Sequence, residues 1–128
     1  MFLSYLLIEK GQFLRVGGTI IDKLLLWDSQ WYLAAASRGI EFIPGAQCTA
    51  GFFPLYPLLM RVFGPFVFGP VNAGFLISNV CLVLAGIYLF RLVKMDYDEG
   101  VSFRAVLYML VFPAGFFFSL IYSESLFL

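Results

Sequence analysis

Histidine is absent from the chain, which removes the commonest general base and a principal zinc ligand and leaves carboxylates as the candidate bases. No Ser/His/Asp set can form, and no glycine-rich phosphate loop follows a strand pattern. Cysteine is scarce. Cys48 and Cys81 are too few for a metal cluster, and Cys81 lies in an apolar run where it reads as a small packing residue, so neither a disulfide nor a redox role is expected. No metal site and no resident cofactor are expected. Charge is scarce as well: 12% of residues carry one, eight basic against eight acidic. With no basic run to track phosphates, nucleic acid is not expected as a partner.

The chain has apolar surface in excess. Its 62% apolar residues and mean hydropathy of +0.93 lie well past the soluble average of roughly half apolar and a quarter charged. Sixteen Phe and seven Tyr fit helix contacts and the hydrocarbon boundary. The expected fold class is an all-α polytopic membrane protein. Residues 71–90 give 20 uncharged positions, long enough to cross a bilayer at about 1.5 Å per residue. Gly74, Ser78, Cys81 and Ala85 recur there at helical spacing as a seam for close helix approach, with Asn79 hydrogen-bonding across it. Residues 105–123 form a second uncharged run, preceded by Arg104 and interrupted by Pro113, which kinks the helix or ends it early. Between them, residues 91–104 read as a polar turn with a helix-breaking Gly100.

Residues 42–60 are uncharged too, but Pro44, Gly45, Gly51, Pro54 and Pro57 break any continuous helix. They read as a loop entering an interfacial segment, residues 52–63, inside a longer extracytoplasmic stretch, residues 9–65. The apolar residues 1–8 lack a basic leader and precede Glu9-Lys10, which is not a secretion-signal pattern. They are also far shorter than a span, as a truncated helix is. Arg91, Lys94 and Arg104 concentrate basic charge in the short turn, which places it in the cytoplasm. The chain then returns Glu124 to the face that carries Asp28.

Four features of that face bear on chemistry. Asp28 opens a helix-forming run closed by Gly39, so it reads both as an N-cap and as a functional carboxylate suited to accept a proton. Trp31 and Tyr32 share its helical face, either as a wall for a sugar or prenyl chain or as interfacial anchors. Glu124 reads as a helix cap or as a ligand for a cation or substrate hydroxyl. Arg61 suits a lipid phosphate or a headgroup anchor.

The blocks Leu26-Trp27-Asp28-Ser29-Gln30-Trp31-Tyr32, Phe52-Phe53-Pro54-Leu55-Tyr56-Pro57-Leu58-Leu59-Met60-Arg61, Phe112-Pro113-Ala114-Gly115-Phe116-Phe117-Phe118-Ser119 and Tyr122-Ser123-Glu124-Ser125-Leu126-Phe127 come in the order and spacing of a known family. In them the chain resembles the PIG-V type mannosyltransferases, polytopic enzymes of the GT-C superfamily. The resemblance implies a glycosyltransferase that moves a hexose, mannose in this family, with inversion. The donor is a polyprenyl- or dolichyl-phosphate sugar and the acceptor a hydroxyl of a glycolipid or other glycan. It implies Asp28 as catalytic base, Glu124 as a second acid of the cavity and Arg61 at the lipid phosphate; Trp31, Tyr32 and Tyr56 are the aromatic candidates for substrate binding. Localisation follows as a multi-pass protein of the cell membrane in a prokaryote or of the endoplasmic reticulum in a eukaryote. On this pattern the chain is an N-terminal fragment, inactive by itself, with further helices to come. A small non-catalytic membrane subunit and a transporter fragment are the alternative readings.

Overall fold

The computed structural model describes residues 28–42 and 44–128; the readings made for Trp27 and for residues 1–8 lie outside them. Five α-helices follow in order: α1 (Asp28–Arg38), α2 (Leu55–Phe63), α3 (Pro70–Lys94), α4 (Glu99–Val111) and the single turn α5 (Glu124–Phe127). Short 3₁₀ turns occur at Thr49–Gly51, Gly64–Phe66 and Gly115–Ser119. There is no strand among the described residues.

α3 organises the rest. Pro70 opens it, where a missing N–H costs nothing, and its 25 residues extend roughly 37 Å. Among the described residues it is the one helix long and apolar enough to cross a membrane. Residues 71–90 fall inside it, and the helix continues to Lys94, where charge returns. Its outward face is a row of exposed apolar side chains, Leu76, Val80, Val83, Leu84 and Ile87, which suits lipid rather than water.

The seam on its inward face packs as small residues allow. Ala73, Gly74, Ser78 and Ala85 are buried. A Cβ on Gly74 would stand 2.9 Å from Ile121 Cγ2 and 3.1 Å from Met60 Cε, so only glycine fits without displacing that contact. Asn79 reaches across the seam, donating to the Ser119 carbonyl at 3.2 Å as well as to Phe75 within its own helix. The chain around residues 119–122 therefore runs level with residues 74–79.

The second apolar run departs from expectation. α4 starts at Glu99, six positions before residue 105, because the Asp98 carboxylate caps it by accepting a hydrogen bond from the Val101 N–H at 2.7 Å. Gly100 lies inside its first turn and does not break it. The polar turn shrinks to residues 95–98, closed by an exposed Lys94–Glu99 ion pair of 2.9 Å that contributes at most about 1 kcal/mol. At the other end Phe112 is extended, with φ −53° and ψ 137°, as the residue before a proline is driven to be. Pro113 thus ends the helix, and residues 105–123 are not one membrane helix. The 13 residues of α4 measure about 20 Å, short of the roughly 30 Å hydrocarbon core, and the chain completes its return through the turn at Gly115–Ser119.

α2 is short for the reasons its composition gives. Pro54 and Pro57 confine it to nine residues, so residues 42–60 form no span. One face buries Tyr56, Pro57 and Met60; the other exposes Leu55, Leu58, Val62 and Phe63. Tyr32, Leu33, Ala36, Tyr56, Met60 and Ile121 form the core where α1, α2, α3 and the segment before α5 meet.

Candidate functional site

α1 ends at Gly39, whose N–H donates to the Ala35 carbonyl at 2.9 Å while its φ of +100° turns the chain away. Its buried face, Ser29, Tyr32, Leu33, Ala35 and Ala36, sets the helix against α2. Asp28 lies within the first turn of α1 rather than ahead of it, and it is exposed.

A hydrogen bond ties this helix to the distant end of the chain. The Tyr32 hydroxyl lies 2.6 Å from Ser123 Oγ, 91 positions away, and both residues are buried. Glu124 follows immediately, exposed in the first turn of α5. Partial desolvation lifts the Glu124 carboxyl above its ordinary value; its own backbone N–H opposes the rise, and the negative charge of Asp28 adds to it. The Tyr32 hydroxyl is raised as well. Burial does most, the Ser123 hydrogen bond opposes, and the charges of Glu124 and Asp28 contribute. The negative charges of Asp28 and Glu124, from opposite ends of the described chain, thus bear on two phenols, Tyr32 and Tyr122, the second also raised chiefly by burial.

The aromatic residues divide their roles. Trp31 is half-buried and stacks on Phe52 at 6.0 Å and 17°. Tyr32 meets Phe52 edge-on at 5.1 Å and Tyr56 at 5.0 Å. Tyr32 therefore belongs to the core and not to a sugar-facing wall. Tyr56 is fully buried, which corrects its assignment to substrate binding. Its hydroxyl lies 2.7 Å from Ser78 Oγ and 3.0 Å from the Gly74 carbonyl oxygen, and Ser78 in turn donates to the Tyr122 carbonyl at 3.1 Å. Burial pushes the Tyr56 hydroxyl far above the usual phenol range, so it stays protonated.

Through Tyr56 and Ser78, α2 and α3 hold the strand of chain that carries Glu124. Tyr56→Phe is accordingly expected to cost about 1 kcal/mol of stability and to leave the KM for donor unchanged. Thermal unfolding and donor titration of the two proteins check this; a rise in KM with unchanged stability would return Tyr56 to the binding surface.

Arg61 is exposed on the last turn of α2. The structure brings Asp28, Tyr32, Tyr122 and Glu124 together. Ser78 and Ser123 position the acids, roles the sequence reading did not assign. The signal available for them was slight: Ser123 directly precedes an acid, and Ser78 sits in a seam where a hydroxyl reads only as a small side chain. No group of three or more His, Cys, Asp or Glu residues suited to a metal occurs among the described residues.

Fold and site define an all-helical chain with one candidate membrane helix and two carboxylates near one half of it. Residues 14–128 match the mannosyltransferase (PIG-V) family, and the chain belongs to that family. It is 31% identical over 126 residues to GPI mannosyltransferase 2 of Chaetomium globosum, an alignment covering 88% of this chain and 27% of the relative. The chain thus spans about a quarter of the length of the curated relative it matches. No solved structure matches it.

Proposed function

We propose that these residues form one wall of the reaction centre of a GT-C type mannosyltransferase that uses a polyprenyl- or dolichyl-phosphate mannose at the extracytoplasmic or luminal face. The observation that carries this reading is the buried 2.6 Å hydrogen bond between Tyr32 and Ser123, which sets the helix that begins at Asp28 against the residue before Glu124, in a chain of the mannosyltransferase (PIG-V) family. Lipid and sugar phosphate meet at the membrane interface, so the anomeric carbon is presented near the end of α3 where the acids stand. Asp28 takes the proton from an acceptor hydroxyl as its oxygen bonds to the anomeric carbon, and the bond from that carbon to the phosphate oxygen breaks on the opposite face. The products are an inverted glycoside and a lipid phosphate. Glu124 binds a hydroxyl of acceptor or sugar. Arg61, exposed among the apolar side chains on the outer face of α2, meets a lipid phosphate. Trp31 lines the approach.

The experiment supplies membranes bearing the protein, expressed from its own gene, with radiolabelled lipid-linked mannose and a glycolipid acceptor. An α-linked product from a β-linked donor supports the proposal; hydrolysis alone, or retention of configuration, contradicts it.

Glu124 offers a second test, through pH. Because its value is raised in the fold, protonated Glu124 is favoured there. Its stabilising contribution is fully present below the ordinary carboxylate value of 4.5 and is lost as pH rises through the raised one. At neutral pH the charged carboxylate is a cost. Glu124→Gln is therefore expected to hold or raise Tm at pH 7, with the difference closing near pH 4.5, while kcat/KM falls roughly tenfold or more from the lost hydrogen bond to a charged group. A Tm that drops at pH 7 would contradict the assignment.

A further inference from the structure

Between α3 and α4, in the half of α3 away from the acids, lies a groove of about 690 Å³, within the roughly 300–1,000 Å³ of small-molecule and cofactor sites. Its body is apolar, built from Gly86, Phe90, Phe103 and Val106 among others, and the charged side chains on its lining are Arg91 and Lys94. No acid lines it. Among the described residues Lys94 shares its charge with Glu99 at 2.9 Å, whereas Arg91 has no ion-pair partner. Asp98 is engaged at the N-terminus of α4. Both cations sit in the last turn of α3, where a spanning helix reaches headgroups, and the apolar portion extends from there toward the middle of the helix.

We propose that this groove binds one anionic phospholipid, an acyl chain along Gly86 and Val106 and its phosphate at Arg91 and Lys94. The chemistry of the lining selects the occupant. A buried helix of protein would leave Arg91 facing apolar side chains at a large desolvation cost, whereas a lipid with a negative headgroup satisfies the cation and the hydrocarbon surface together. Basic pockets between membrane helices on the cytoplasmic side recognise such headgroups, and the basic turn of residues 91–104 assigns this end to that side. The site is separate from the proposed donor site, which lies beside residues 74–79 of the same helix.

The test uses the protein expressed from its own gene and reconstituted in vesicles of phosphatidylcholine with one-fifth phosphatidylglycerol. Either lipid carries a photoactivatable acyl chain, and labelled residues are mapped by mass spectrometry. Labelling of α3 and α4 at the groove is expected to favour phosphatidylglycerol about fivefold, the worth of one cation near a membrane surface. Arg91→Gln should erase that preference, and Arg104→Gln, outside the lining, should keep it. Gly86→Leu should block the groove. Gly86→Ala, whose Cβ meets Val106 Cγ1 at an ordinary 3.6 Å, should leave labelling intact and so separates blockage from misfolding. Equal labelling by the two lipids, equal loss in Arg91→Gln and Arg104→Gln, or labelling that persists in Gly86→Leu would each overturn the proposal.

Discussion

Asp28→Asn, introduced into the protein expressed from its own gene, is expected to lower mannose transfer at saturating donor and acceptor by about 10²–10⁴-fold, the usual worth of a general base, while membrane insertion and Tm hold. The substitution isolates charge from structure. Asn keeps the volume of Asp and favours helix starts as strongly, and Asp28 is an exposed residue in the first turn of α1, so the fold has little reason to notice. What disappears is the carboxylate that accepts the proton. Removing its charge also relieves the repulsion it exerts on Glu124, so the Glu124 carboxyl should fall toward its ordinary value. A purely structural Asp28 makes the opposite forecast: Asn serves equally well and turnover persists.

Gly74→Leu should have the second large effect, at a position that touches no substrate. A Cβ there already stands 2.9 Å from Ile121 Cγ2, and Ile121 is fully buried, so it cannot yield into open space. Overpacking of this kind costs about 1–3 kcal/mol. The more telling consequence is positional. Ile121 is three residues before Glu124, and pushing it from α3 also strains the Ser78 bond to the Tyr122 carbonyl, which moves Glu124 relative to Asp28. A misplacement of about 1 Å can cost about 10²-fold in rate. Tm and turnover should therefore fall together in Gly74→Leu, and Gly86→Ala, lower on the same helix, should change neither. Full activity in Gly74→Leu would show that the seam does not align the acids.

The long helix α3 is legible in the sequence by one property: a long run without charge, ended by Arg91 and Lys94. Hydropathy also made residues 105–123 look like a span, but it is blind to the backbone. Pro113 lacks an N–H and forces Phe112 out of the helical region, and no apolar composition restores that hydrogen bond. The start of α4 is hidden in the sequence for a related reason: Gly100 reads as a breaker, but the Asp98 cap outweighs a glycine cost of about 1 kcal/mol.

At the site, the acids could be singled out because carboxylates are rare in this chain and stand beside aromatics. Tyr56 shows where residue patterns run out. A tyrosine in a family-like block has the same letter whether its ring faces a ligand or its hydroxyl braces a helix, and only the burial of Tyr56 against Ser78 and Gly74 distinguishes the two. Tyr32 carries the same lesson, since sharing a helical face with Asp28 did not reveal that Ser123 would claim its hydroxyl.

Proximity of the two carboxylates is the claim on which the mechanism stands, and it is open to direct measurement. Asp28→Cys and Glu124→Cys are combined in a protein whose Cys48 and Cys81 have been replaced by Ser, and native membranes are treated with a short bifunctional thiol reagent and with an impermeant thiol label. The account predicts an intramolecular crosslink in high yield, with both cysteines labelled from the extracytoplasmic or luminal side. Absence of the crosslink, or labelling of the two positions from opposite sides of the membrane, would contradict it.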